Sequence, residues 1–164
     1  MNYVYVIDTS YLLELYKIPG CYVETAYTLV KAKFKIGSAR KSLFVVPVPC
    51  IFELANHIAH IGDGNLRKVF SDRLYTMVEK SIANEIPWII PPHKDIDNVL
   101  VELCRIFANE HVANMVGLTD TYIIREAMYW KTKYNSSHYH VHIWTKDRKI
   151  KAYEPDAEID PFTN

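Results

Sequence analysis

Apolar residues along this chain fall into short continuous runs, separated by longer stretches with helical spacing. Tyr3-Val4-Tyr5-Val6-Ile7 is the first run, Leu43 to Val48 the second, Trp88-Ile89-Ile90 the third and Val141 to Thr145 the fourth. Runs of this length, rich in Val, Ile and aromatic residues, predict strands buried on both faces. Ile150 to Tyr153 adds a short fifth candidate. Residues 22–36 place Tyr22, Ala26, Leu29, Val30 and Phe34 at helical steps, and residues 65–83 do the same with Leu66, Val69, Phe70, Leu74, Met77 and Val78. Further helices are predicted after Ser10 as N-cap, from Pro49 to Ile61 with proline in the first turn, from Asp95 to Glu110, and from a Thr119 cap to about Lys131. Pro19-Gly20, Gly37-Ser38 and Gly62-Asp63-Gly64 supply the breaks.

Strands alternating with helices predict an α/β domain around a mainly parallel sheet. The chain has 164 residues, 49 % of them hydrophobic, enough for one core without disulfide or metal staples. Net charge is zero, from 19 Lys+Arg against 19 Asp+Glu, so a nucleic-acid partner would have to meet a local basic patch. Cys21, Cys50 and Cys104 are odd in number and widely spaced, which reads as packed, reduced thiols. The N-terminal apolar run lacks a basic flank and is too short for a signal peptide or a membrane span, so a cytoplasmic protein without a membrane partner is expected.

Four acids stand where an apolar run gives way to a polar or helical stretch: Asp8 after the first run, Glu53 after the second, Asp120 after Val116-Gly117-Leu118-Thr119, and Asp147 after the fourth. Strands of a parallel sheet deliver the residues that follow them to its carboxyl edge, where open α/β folds bind ligands. Carboxylates gathered there repel one another unless a cation neutralises them, and oxygen donors suit Mg²⁺ or Mn²⁺. Asp120, in the first turn of its helix, is expected to stay charged. Ser10 lies two residues after Asp8, and Thr145 two before Asp147. Each acid taken singly has a plainer explanation as a helix N-cap or first-turn residue, for Glu53 and Asp120 especially; the joint pattern argues for one site.

Val6-Ile7-Asp8-Thr9-Ser10, Val48-Pro49-Cys50-Ile51-Phe52-Glu53-Leu54-Ala55, Gly117-Leu118-Thr119-Asp120-Thr121-Tyr122-Ile123 and Trp144-Thr145-Lys146-Asp147 together resemble the four motifs of the PIN domain, in order, from residue 3 to about 153. The resemblance implies a three-layer α/β/α sandwich with four or five strands over residues 1–153, and leaves 154–164 as an acidic, flexible tail. It implies a Mg²⁺- or Mn²⁺-dependent endoribonuclease in which Asp8, Glu53, Asp120 and Asp147 hold the metal, with Ser10, Thr119 and Thr145 beside it. It also implies RNA as substrate, an antitoxin as partner in a toxin–antitoxin pair, and a homodimer. The helix at 22–36 and the tail make the chain longer than a minimal toxin of this kind. A catalytically weak PIN-fold RNA-binding or scaffold module, or a DNA-directed nuclease with the same metal site, are the alternatives. A receiver domain also collects acids at strand ends, but would carry an adjacent acidic pair after the first strand, where this chain has Asp8-Thr9.

Lys146, Arg148 and Lys149, with Lys151, flank Asp147 and are the better candidates for contact with the RNA backbone. Lys31, Lys33, Lys35, Arg40 and Lys41 form a second basic run, as readily a solvated surface. His138, His140 and His142 share one face of a strand, a weak pattern for Zn²⁺ or Ni²⁺. His57 and His60 read as packed or surface residues, and most of the twelve tyrosines as core.

Overall fold

Four of the apolar runs pair side by side, all parallel, in the order β3-β2-β1-β4. The computed structural model describes residues 2–91, 96–134 and 138–163. The strands are β1 (Asn2–Ile7), β2 (Leu43–Val45), β3 (Trp88–Ile89) and β4 (Tyr139–Trp144). Between them lie α1 (Thr9–Tyr16), α2 (Glu24–Ala39), α3 (Val48–Ala59), α4 (Gly64–Ile82), α5 (Ile96–Ile106) and α6 (Leu118–Lys133), and β4 is followed by the short α7 (Arg148–Lys151). This is an α/β fold of the kind expected. A wide turn at Phe107–His111 and a single 3₁₀ turn at Val112–Asn114 lead from α5 towards α6. Asp95, where the α5 segment was expected to begin, lies outside the described residues.

The two faces of the sheet differ in chemistry. Tyr3, Tyr5, Phe44, Trp88, His140, His142 and Trp144 form a continuous layer of rings. Helix α2 lies on this layer through Phe34, which stacks on Trp88 at 5.3 Å and meets Trp144 edge-on at 5.1 Å. Gly37 belongs to the same contact: a Cβ there would sit 2.8 Å from Cζ of Phe44. Gly37-Ser38 therefore does not close the helix, which continues to Ala39, because the missing side chain lets α2 approach the sheet. On the opposite face, Val4, Val6, Val141 and Ile143 are fully buried, and α6 packs against β1 and β4, with Tyr134 stacked on Tyr139.

Three further expectations are corrected. Ile150–Tyr153 is not a strand: Ile150 is the single buried residue of α7, whose N-cap Asp147 accepts from the Lys149 amide. Helix α1 starts at Thr9, so Ser10 lies inside its first turn and is not the cap. In the segment 154–164, expected as an acidic, flexible tail, Asp156 accepts from Val141 N and Glu154 from Ile143 N of β4.

Candidate active site

The strand order places the site. The chain winds from β1 outward to β2 and β3, then returns to lay β4 on the other side of β1. Connections leaving β1 and β4 therefore diverge at their carboxyl ends, and a crevice opens where the order reverses. Asp8 is the first residue beyond β1, and its amide still bonds Trp144 O at 3.0 Å. Asp147 follows β4, Glu53 projects from α3, and Asp120 stands in the first turn of α6. All four line one open cleft of about 460 Å³, together with Thr9, Ser10, Leu13, Asn56, His57 and Ile150.

Asp8 is the most enclosed, 7 % exposed, and is held by two hydroxyls. Ser10 Oγ donates to Asp8 Oδ2 at 2.5 Å and Thr145 Oγ1 donates to the same oxygen at 2.8 Å. Each hydroxyl in turn accepts a backbone amide: Lys146 N at Ser10 Oγ, Asp147 N at Thr145 Oγ1, both 3.0 Å. Each hydroxyl thus accepts one amide through one lone pair and gives its single proton to Asp8. Glu53 is held from the other side of the strand end, where Thr9 Oγ1 donates to Oε2 at 2.6 Å. Asp120 Oδ2 accepts the Gly117 amide at 2.8 Å, the reach-back of an N3 acid to its N-cap residue.

These carboxyls feel one another. Burial, opposed by the Ser10 and Thr145 hydrogen bonds and reinforced by the charge of Asp120, raises the pKa of Asp8 above the ordinary carboxylate range. Burial also raises Asp120; the Gly117 amide opposes this, Asp147 and Glu53 add to it, and Lys149 opposes it more weakly. The Gly117 amide at the helix terminus favours the charged form of Asp120, but burial and the neighbouring acids outweigh it in the direction of the shift. Buried Cys50, near Asp8 and Thr9, is pushed well up by desolvation and then by Asp8.

Of the residues singled out from the sequence, Asp8, Glu53, Asp120, Asp147, Ser10 and Thr145 are brought together. Thr119 is not: Gly117 is the N-cap of α6, and Thr119 faces a separate groove lined by Val48, Phe52, Leu100 and Tyr122. That groove is almost wholly apolar and holds no carboxylate, so the acid chemistry belongs to the cleft. Lys146 is also placed differently, its ammonium paired with the fully buried Glu14. Arg148 and Lys149 are exposed beside Asp147. Lys33 of the other basic run turns inward to Glu158 and Asp160. Thr9, which reads from the sequence as a residue between two candidates, supplies the bond to Glu53.

Comparison with protein-family models, with curated proteins and with solved structures finds no match to this chain. The site is therefore read from its own donors. Four carboxylates, hard oxygen ligands of which two are raised by burial and further by their acidic neighbours, fit a divalent cation such as Mg²⁺ or Mn²⁺ better than a soft metal. His142 stands apart from this cleft. It gathers Glu154 and Glu158 with ligand atoms within 4.8 Å of one another. Its Nδ1 lies 2.7 Å from Asp156 O, while Glu154 is paired with Lys151, and Glu158 with Lys33 and the Trp144 indole, so this group is satisfied without an ion. Among the described residues no helix is long and apolar enough to cross a membrane.

Proposed function

We propose that this chain is a divalent-cation-dependent endoribonuclease of the PIN type, with Asp8, Glu53, Asp120 and Asp147 holding Mg²⁺ or Mn²⁺. The observation that carries the reading is the convergence of four acids, spread from residue 8 to residue 147, on one cleft at the carboxyl edge of the sheet, with the innermost fixed by Ser10 and Thr145. When bound, the cation supplies Lewis acidity: it polarises the phosphoryl oxygens and makes water a stronger nucleophile. The chain's own part is positional. Thr9 orients Glu53, Ser10 and Thr145 orient Asp8, and Gly117 N orients Asp120, so three carboxyls from different elements hold their directions before any ligand arrives.

Lys149, exposed next to Asp147 and close enough to attract Asp120, is the cation suited to a phosphate flanking the scissile bond. The four motifs support RNA over DNA as substrate and an antitoxin as the natural inhibitor, binding over the open cleft.

Incubating purified protein with single-stranded RNA, structured RNA and DNA in Mn²⁺, Mg²⁺ or chelator tests the reading. Metal-dependent RNA cleavage that Asp8→Asn and Asp120→Asn abolish is expected. Cleavage that persists in both variants refutes it, and cleavage of DNA alone reassigns the substrate.

A further inference from the structure

The acids of residues 154–163 face the protein. β4 is an edge strand, so its outward amides have no neighbouring strand to meet. Asp156 and Glu154 take two of them, at Val141 and Ile143, while Lys131 and Lys151 neutralise the carboxylates. Further along, Asp160 is completely buried. Its Oδ2 accepts from Tyr11 Oη at 2.5 Å and Lys33 Nζ at 2.7 Å, and its Oδ1 from Phe162 N at 3.0 Å. Lys33 also reaches Glu158, which accepts the Trp144 indole N–H at 2.9 Å. The Lys33 ammonium lies 4.8 Å from the centre of a Trp144 ring, and the Phe162 ring meets Tyr11 edge-on at 5.5 Å.

The residues so pinned adjoin the two hydroxyls of the cleft. Tyr11 follows Ser10, and Trp144 precedes Thr145. Lys146, whose amide is bonded to Ser10 Oγ, has its ammonium 5.8 Å from the centre of the Phe162 ring. We propose that Asp160 is a positioning residue for the acidic cleft: by binding Tyr11 and Lys33 together it sets α1 against the end of β4, and so keeps Ser10 and Thr145 on Asp8. The segment from Glu154 to Phe162 is then part of the support of the site. The effect on cation binding rests on the functional reading above; the effect on geometry does not.

The test compares wild type with Asp160→Asn and with the milder Tyr11→Phe, which removes one hydroxyl and keeps the ring. Two readouts are followed: amide hydrogen exchange at Lys146 and Asp147, with Val46, whose amide bonds Ile89 O between β2 and β3, as control, and Mn²⁺ affinity. Both variants are expected to speed exchange at Lys146 and Asp147 about tenfold with Val46 unchanged, and to weaken Mn²⁺ about tenfold, as loss of an outer support does. Unchanged exchange at Lys146 and Asp147, or equal acceleration at Val46, overturns the proposal. If Asp160→Asn does not fold, Tyr11→Phe decides by the same criteria. If wild type binds no Mn²⁺, the functional reading fails, and the exchange data alone still decide the role of Asp160.

Discussion

Thr9 offers a clean perturbation of the site, because its hydroxyl orients a carboxylate without being an expected ligand. It is 5 % exposed and donates to Glu53 Oε2 at 2.6 Å. Thr9→Val keeps the shape and removes the donor. A hydrogen bond to a charged group contributes about 1.5–3 kcal/mol. Loss of a partner behind a metal ligand usually lowers affinity about 10–100-fold, roughly 1.4–2.7 kcal/mol, so two independent scales agree. Mn²⁺ affinity by titration calorimetry should fall by that factor, and RNA cleavage should need correspondingly more Mn²⁺ to saturate. Thr9→Ser, which restores the donor, should recover most of the loss. The reasoning is refuted if Thr9→Val binds Mn²⁺ as tightly as wild type, or if Thr9→Ser is as weak as Thr9→Val.

Metal-free stability should depend on pH with a definite sign. Asp8 and Asp120 are raised in the folded chain, so between the ordinary carboxylate value and their folded values the native state holds more protons than the unfolded one. Their contribution is complete below that window and is lost as pH rises through it; thermal melts in chelator should show Asp8→Asn and Asp120→Asn gaining on wild type as pH rises from about 4, the ordinary carboxylate value, and a constant difference contradicts this. Gly37→Ala should destabilise: a Cβ 2.8 Å from Phe44 and 3.2 Å from Tyr5 costs about 1–3 kcal/mol of overpacking against ~1 kcal/mol of helix propensity. The melting temperature should drop by up to about 8 °C, and a rise would show that the aromatic layer yields. Lys146→Ala should cost about 2 kcal/mol, since it strips buried Glu14 of its cationic partner and leaves it the Val23 amide, although Lys146 is itself 34 % exposed. Lys149→Ala should leave the melt unchanged and reduce the salt slope of RNA binding by about 1; the opposite assignment of effects would exchange the two roles.

Much of the framework was legible because a buried parallel strand is written as an uninterrupted apolar run. β1, β2 and β4 could be found that way, and the residue after each run marks the carboxyl edge. What failed depended on partners distant in sequence. Ile150 looked like part of a strand, but a four-residue helix has no period to display. The acids at 154–160 look the same in a sequence whether they face water or Lys131 and Lys33, which lie 25 and more positions away. Glu53 reads from the sequence as a first-turn residue as well as a ligand, yet it stands in the second turn of α3 and is tied to Thr9; Asp147, an evident N-cap, has the plainer structural explanation. Thr9 was missed because neighbouring residues point to different neighbours, Thr9 to Glu53 and Ser10 to Asp8, and spacing alone assigns neither.

The central claim is that four scattered carboxylates make one cation site, and a Mn²⁺ titration of metal-free wild type beside Asp8→Asn, Glu53→Gln, Asp120→Asn and Asp147→Asn tests it most directly. One saturable site is predicted, with each of the four substitutions weakening the same binding event and Asp72→Asn, an exposed acid of α4 paired with Lys68, leaving it unchanged. No saturable binding in wild type, or binding that all four substitutions leave intact, contradicts the account.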